Sequence, residues 1–88
     1  MEVVLLKQAR EDRDYWLKTG NKRIMKRITD LLNDIQLHPF SGMGKPEPLK
    51  GENGKWSRRI TEKHRMVYSI SDGKIYVFVF SLRYHYDK

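Results

Sequence analysis

The spacing of apolar residues divides this chain into segments of different period. Met1 to Leu6 is a short apolar run that predicts a strand. Gln8 to Lys18 is strongly charged, with Ala9, Tyr15, Trp16 and Leu17 as its few apolar positions. It predicts a first helix with a stop at Gly20 and no Ser, Thr, Asp or Asn cap at its start. Ile24, Ile28, Leu31 and Ile35 then fall at i, i+4, i+7 and i+11, flanked by Met25 and Leu32. That stripe predicts a second helix packed on a sheet. It starts near Asn21 and stops near Leu37, because His38 precedes Pro39 and is pushed out of helical space.

From Phe40 to Gly54 the composition shifts to Gly, Pro, Lys and Glu, which predicts one long loop. A connection of that length in a small domain is uncommon unless it binds or catalyses something. Three strand-like runs follow, Trp56–Thr61, Arg65–Ser71 and Ile75–Leu82, and Asp72-Gly73 between the last two is a hairpin signal. The order β-α-α-β-β-β predicts an α+β fold, a small antiparallel twisted sheet packed against two N-terminal helices. With 88 residues the chain is one domain, 1–88, with room for a single core.

Charge adds a partner class. The net charge is +7, with eight Lys/Arg against six Asp/Glu in residues 1–40 and ten against five in residues 41–88. A small basic domain is steered toward polyanions, although a basic surface also serves solubility. Cysteine is absent, which excludes disulfides and thiolate metal sites. The N-terminus lacks the basic and long apolar regions of a signal peptide, and no apolar run approaches bilayer length, so the expected location is the cytoplasm, away from membranes.

Candidate chemistry lies in the second half. Glu47 stands between Pro46 and Pro48, so its carboxylate is offered from a stiff loop, either as a preorganised base or as an ordinary exposed glutamate. His85, between Tyr84 and Tyr86, has an unperturbed pKa of about 6.5 and can exchange a proton at neutral pH; it is otherwise a terminal histidine on a fraying strand. His38, His64 and His85 are scattered, without metal-ligand spacing. Lys50, Arg58, Arg59, Arg65 and Arg83 are candidate phosphate-binding cations. On an extended strand Arg58 and Arg59 point to opposite faces, so at most one lines a given groove, and the other is a surface charge or an ion-pair partner. Strict alternation also puts Tyr84 on the side of Tyr76, Phe78, Phe80 and Leu82, expected to be core, and leaves Tyr86 freer to reach a ligand.

Gly42-Met43-Gly44-Lys45-Pro46-Glu47-Pro48-Leu49-Lys50, Trp56-Ser57-Arg58-Arg59-Ile60-Thr61-Glu62, His64-Arg65-Met66-Val67-Tyr68 and Arg83-Tyr84-His85-Tyr86 together resemble the YoeB-type toxins of the RelE/ParE superfamily. The resemblance covers nearly the whole chain. It implies a ribosome-dependent endoribonuclease of a bacterial toxin–antitoxin pair, which cleaves messenger RNA in the ribosomal A site and so inhibits translation. Glu47 is implied as general base, His85 as general acid, Arg65 as the main phosphate-stabilising cation and Tyr86 as a nucleotide-positioning residue, with Lys50 and Arg59 in support. No metal or other cofactor is implied. The implied partners are a YefM-type antitoxin, messenger RNA with the ribosome and its rRNA, and a second copy of the chain in a homodimer. Two other classes remain open, a non-catalytic gyrase-binding inhibitor of the ParE branch and a basic module that holds RNA or the ribosome without cutting.

Overall fold

In a computed structural model the described residues are 1–80. The elements are β1 (Glu2–Leu5), α1 (Lys7–Lys18), α2 (Lys22–Leu37), β2 (Glu47–Pro48), β3 (Trp56–Arg59), β4 (Arg65–Ser71) and β5 (Lys74–Val79). The strands form one sheet in the order β1-β5-β4-β3-β2. Every pairing is antiparallel except β1 with β5, which is parallel: the two helices carry the chain from β1 to β2 at the opposite edge, and the β2–β5 meander returns it beside β1.

Both helices form where the sequence places them. No side chain caps α1, and it ends in a Schellman turn, with Gly20 at φ +70° and the Asn21 N–H donating to the Trp16 carbonyl at 3.3 Å. The Asn21 side chain then caps α2, accepting from the Ile24 N–H at 3.1 Å. Ile24, Ile28, Leu31 and Ile35 are all buried, and they meet Met66, Tyr68, Ile75, Val77 and Phe80 in one core that also takes Ala9 and Trp16 from α1. Among the described residues no helix is long and apolar enough to cross a membrane.

The expected loop from Phe40 to Gly54 is interrupted by β2, whose two residues pair with Ser57 and Trp56 of β3. Proline hid this strand, since Pro48 has no N–H to give a ladder, yet an edge position tolerates that loss. β3 ends at Arg59 rather than Thr61 because the Ile60 and Thr61 N–H groups turn to the His64 carbonyl at 2.8 and 3.1 Å. At the hairpin, Asp72 and Gly73 take φ of +52° and +72°, the left-handed pair that a two-residue turn requires.

Alternation along β5 departs from the expected pattern. Ile75 and Val77 face the helices, while Tyr76 and Phe78 are half-buried on the other side. Tyr68 pairs with Val77 but its neighbour Val67 pairs with Val79, so Phe78 is an extra residue in a β-bulge. The bulge shifts the phase, and Phe80 returns to the core. The expectation that Tyr76 and Phe78 share the core side with Phe80 is therefore corrected. Leu82 and Tyr84, the rest of that series, lie outside the described residues.

Candidate active site

The face of the sheet turned away from the helices carries a row of residues set by strand register. Glu47 on β2 lies opposite Ser57 on β3, Ser57 opposite Val67 on β4, and Val67 opposite Val79 on β5. In the next row Arg59 lies directly opposite Arg65. Like charges in that relation repel, so the sheet itself gains nothing from the pair.

Arg65 is held on three sides. Its Nε donates to Ser57 Oγ at 3.0 Å, one terminal nitrogen donates to the Lys45 carbonyl at 3.3 Å, and the same nitrogen lies 3.7 Å from Glu47 Oε1. The Arg65 side chain is 20 % exposed and that of Glu47 is 66 % exposed. A fixed guanidinium and an accessible carboxylate thus face the same solvent. The Arg59 side chain has no hydrogen bond or ion pair among the described residues, although its N–H donates to the Gly44 carbonyl at 2.6 Å and its carbonyl accepts from Arg27 at 3.2 Å. Glu47, Arg65 and Arg59 therefore come together on one face. Lys50 is exposed in the turn between β2 and β3 and has no hydrogen bond or ion pair with them. Arg83, His85 and Tyr86 lie outside the described residues.

Arg58 is corrected from a phosphate-binding candidate to an interior residue. It faces the helix side and is fully buried, and its five N–H donors are all spent. Nε donates to Tyr68 Oη at 3.2 Å, Nη1 to Asp34 Oδ2 at 2.6 Å and to the Met43 carbonyl at 3.1 Å, and Nη2 to the His38 carbonyl and, at 2.7 Å, to the Ser41 carbonyl. No donor is left for an anion. The hydrogen bond from Arg58 holds the Asp34 carboxyl below the usual carboxylate range, more than burial raises it, and the Met43 N–H adds to the lowering. Burial pushes the Tyr68 hydroxyl up, against the opposing pull of Arg58. That hydroxyl also donates to the Pro39 carbonyl at 2.7 Å.

Three further polar residues escaped the sequence reading. Asp34 and Tyr68 complete the Arg58 cluster, and Asp12 is buried in α1, where one oxygen accepts the Phe80 N–H at 3.0 Å and the other accepts Gln8 at 3.0 Å. Trp16 Nε1 donates to the Phe80 carbonyl at 3.4 Å, so α1 grips both backbone groups of the last described residue. An aspartate four residues before a tryptophan on a helix face was the available signal.

Comparison with known proteins finds one family that the chain resembles along nearly its whole length. A model described as the YoeB-like toxin of bacterial type II toxin–antitoxin systems matches residues 5–86. The chain is 45 % identical over 87 residues to Toxin YoeB of Escherichia coli strain K12, covering 98 % of this chain and 100 % of that protein. It is 49 % identical over 79 residues to Toxin YoeB of Mycobacterium bovis, covering 89 % of each. Among solved structures, a YoeB/ParE toxin from Agrobacterium tumefaciens superposes with a TM-score of 0.88 at 39 % identity, over 96 % of this chain and 100 % of that one. A YoeB–YefM heterotetramer from Staphylococcus aureus gives 0.83 at 37 % identity, over 98 % of each chain.

Proposed function

Because the chain belongs to the YoeB-like toxins of bacterial type II toxin–antitoxin systems, we propose that it is a ribosome-dependent endoribonuclease that cuts messenger RNA in the A site without a metal. The observation that carries this reading is the accessible Glu47 carboxylate 3.7 Å from the anchored Arg65 guanidinium, beside Arg59. A surface built only to hold RNA would gain nothing from a carboxylate among its cations, because it repels phosphate. A base, by contrast, must sit beside the phosphate it helps to attack.

Glu47 takes the proton of the ribose 2′-hydroxyl, and the oxygen attacks the adjacent phosphorus. Arg65 and Arg59 stabilise the charge that grows on the phosphorane oxygens. The 5′ oxygen leaves with a proton from His85, and the upstream fragment ends in a 2′,3′-cyclic phosphate. Tyr86 orients the nucleotide, while Lys50 and Arg83 hold flanking phosphates. The partner in the cell is an antitoxin of the YefM type, which the Staphylococcus aureus relative is seen bound to. The net charge of +7 favours an acidic antitoxin segment that competes with RNA. The toxin acts in the cytoplasm, as a homodimer like the one formed by Staphylococcus aureus YoeB.

Replacement of the 2′-hydroxyl by hydrogen at the cleaved nucleotide of a ribosome-bound message tests the chemistry. Cutting should disappear at that bond while binding persists. Unchanged cleavage of the deoxy substrate would rule out attack by the 2′ oxygen.

A further inference from the structure

The loop from His38 to Pro46 that delivers Glu47 has little internal structure, with a single 3.4 Å hydrogen bond from the Ser41 N–H to the His38 carbonyl. Its shape is imposed from the core. Arg58 takes the His38, Ser41 and Met43 carbonyls, Tyr68 takes that of Pro39, and Asp34 accepts the Met43 N–H at 3.0 Å. Beyond them the Gly44 carbonyl accepts the Arg59 N–H and the Lys45 carbonyl accepts Arg65. The backbone is turned inward to make these bonds. Gly42 and Gly44 have φ of +100° and +83°, and Lys45, two residues before Glu47, has φ of +51°.

We propose that Arg58 is a positioning residue for Glu47, a buried guanidinium around which the loop is wrapped so that the carboxylate arrives beside Arg65. The inference rests on the reading of Glu47 as the general base. Stability alone does not account for Arg58, since apolar residues of similar volume often serve a core as well as a buried ion pair does. What a planar fork of five donors provides is direction. It fixes three carbonyls along the loop while also holding Asp34 and Tyr68, five bonds that the three donors of a lysine cannot supply and an apolar side chain cannot make. The cluster therefore couples α2, through Asp34, to the place where the base stands, and Tyr68 extends the same grip to Pro39.

Single-turnover cleavage of a ribosome-bound message by Arg58→Lys, Glu47→Ala and the double variant tests this. Arg58→Lys should lower the rate constant on the order of 100-fold, the effect of a displacement of about 1 Å at a catalytic group. The half-saturating protein concentration should change by less than about 3-fold. In the Glu47→Ala background the same substitution should cost less than about 2-fold, because there is no base left to misplace. An equal loss in both backgrounds, or a full rate for Arg58→Lys, would overturn the proposal. If Arg58→Lys lacks native near-ultraviolet dichroism, Tyr68→Phe replaces it. That variant keeps the volume, releases Pro39 and one of the five Arg58 donors while the three carbonyls held by Arg58 stay bonded, and should show a smaller loss, about 10-fold, with the same dependence on Glu47. A wild-type rate for Glu47→Ala would remove the base and the positioning role together, whereas a slow Glu47→Ala with additive losses would remove the positioning role alone.

Discussion

Asp34→Asn isolates the ionic part of the Arg58 cluster. Arg58 is fully buried, so the charge that balances it cannot be replaced by water, while the Asp34 side chain is only 20 % exposed. Asparagine keeps an oxygen for Arg58 and the Met43 N–H but gives up the negative charge. A hydrogen bond to a charged group is worth about 1.5–3 kcal/mol, which sets the expected loss at neutral pH. Asp34→Ala, which leaves the guanidinium without any anion, should lose about 3–5 kcal/mol. A domain of this size has about 4–13 kcal/mol in total, so the alanine variant stands near the limit of folding. The Asp34 carboxyl is lowered in the folded protein from an ordinary value of 3.8. Its contribution is therefore complete above the unfolded-state value and is lost as pH falls from about 4 through the lower folded-state value. Urea unfolding of wild type and Asp34→Asn from pH 7 down to pH 2 should show a gap in stability that narrows below about pH 4, where the protonated aspartic acid behaves like asparagine. A gap of the same size at every pH, or none at pH 7, would mean that the Asp34 charge does not stabilise the buried Arg58.

Three other outcomes follow from the same geometry. Asp12→Ala strands the buried Phe80 N–H and should cost about 1–3 kcal/mol in urea unfolding, against less than about 0.5 kcal/mol for alanine at the exposed Asp14. Gly44→Ala sets a Cβ 2.8 Å from Leu31 Cδ2 and 3.2 Å from the Arg59 carbonyl oxygen, at φ +83°, and should lower the melting temperature by the equivalent of about 1–3 kcal/mol. Lys50→Ala should weaken RNA binding and reduce the salt dependence by about one phosphate contact, seen in a salt titration, with the cleavage rate at saturation unchanged.

The second helix was legible because its signals are local. Four apolar residues at helical spacing, an Asn cap and a His-Pro stop all lie within one segment, and Asp72-Gly73 marks its hairpin in two residues. Pairings that arise only across the sheet were less legible. β2 is two residues long and contains a proline, so it carries no alternation to read. The bulge at Phe78 is fixed by register with β4, and it reverses the side on which Phe80 falls. Arg58 and Arg59 are chemically identical in sequence, and alternation separates their faces without saying which face is the interior. That answer comes from Asp34, 24 residues away, which turns an arginine inward by giving it an anion. Glu47 and Arg65 were both candidates, but their meeting depends on β3 lying between the strands that carry them.

Primer extension on a translated message, with wild-type and Glu47→Ala protein and with or without ribosomes, reads out cleavage and its dependence on the Glu47 carboxylate together. Cuts within codons are expected only when ribosomes are present, reduced by about 100-fold or more in the variant, the range of a general base. Intact RNA in every lane while translation is still blocked would contradict this, and would leave a protein that binds its target without cutting.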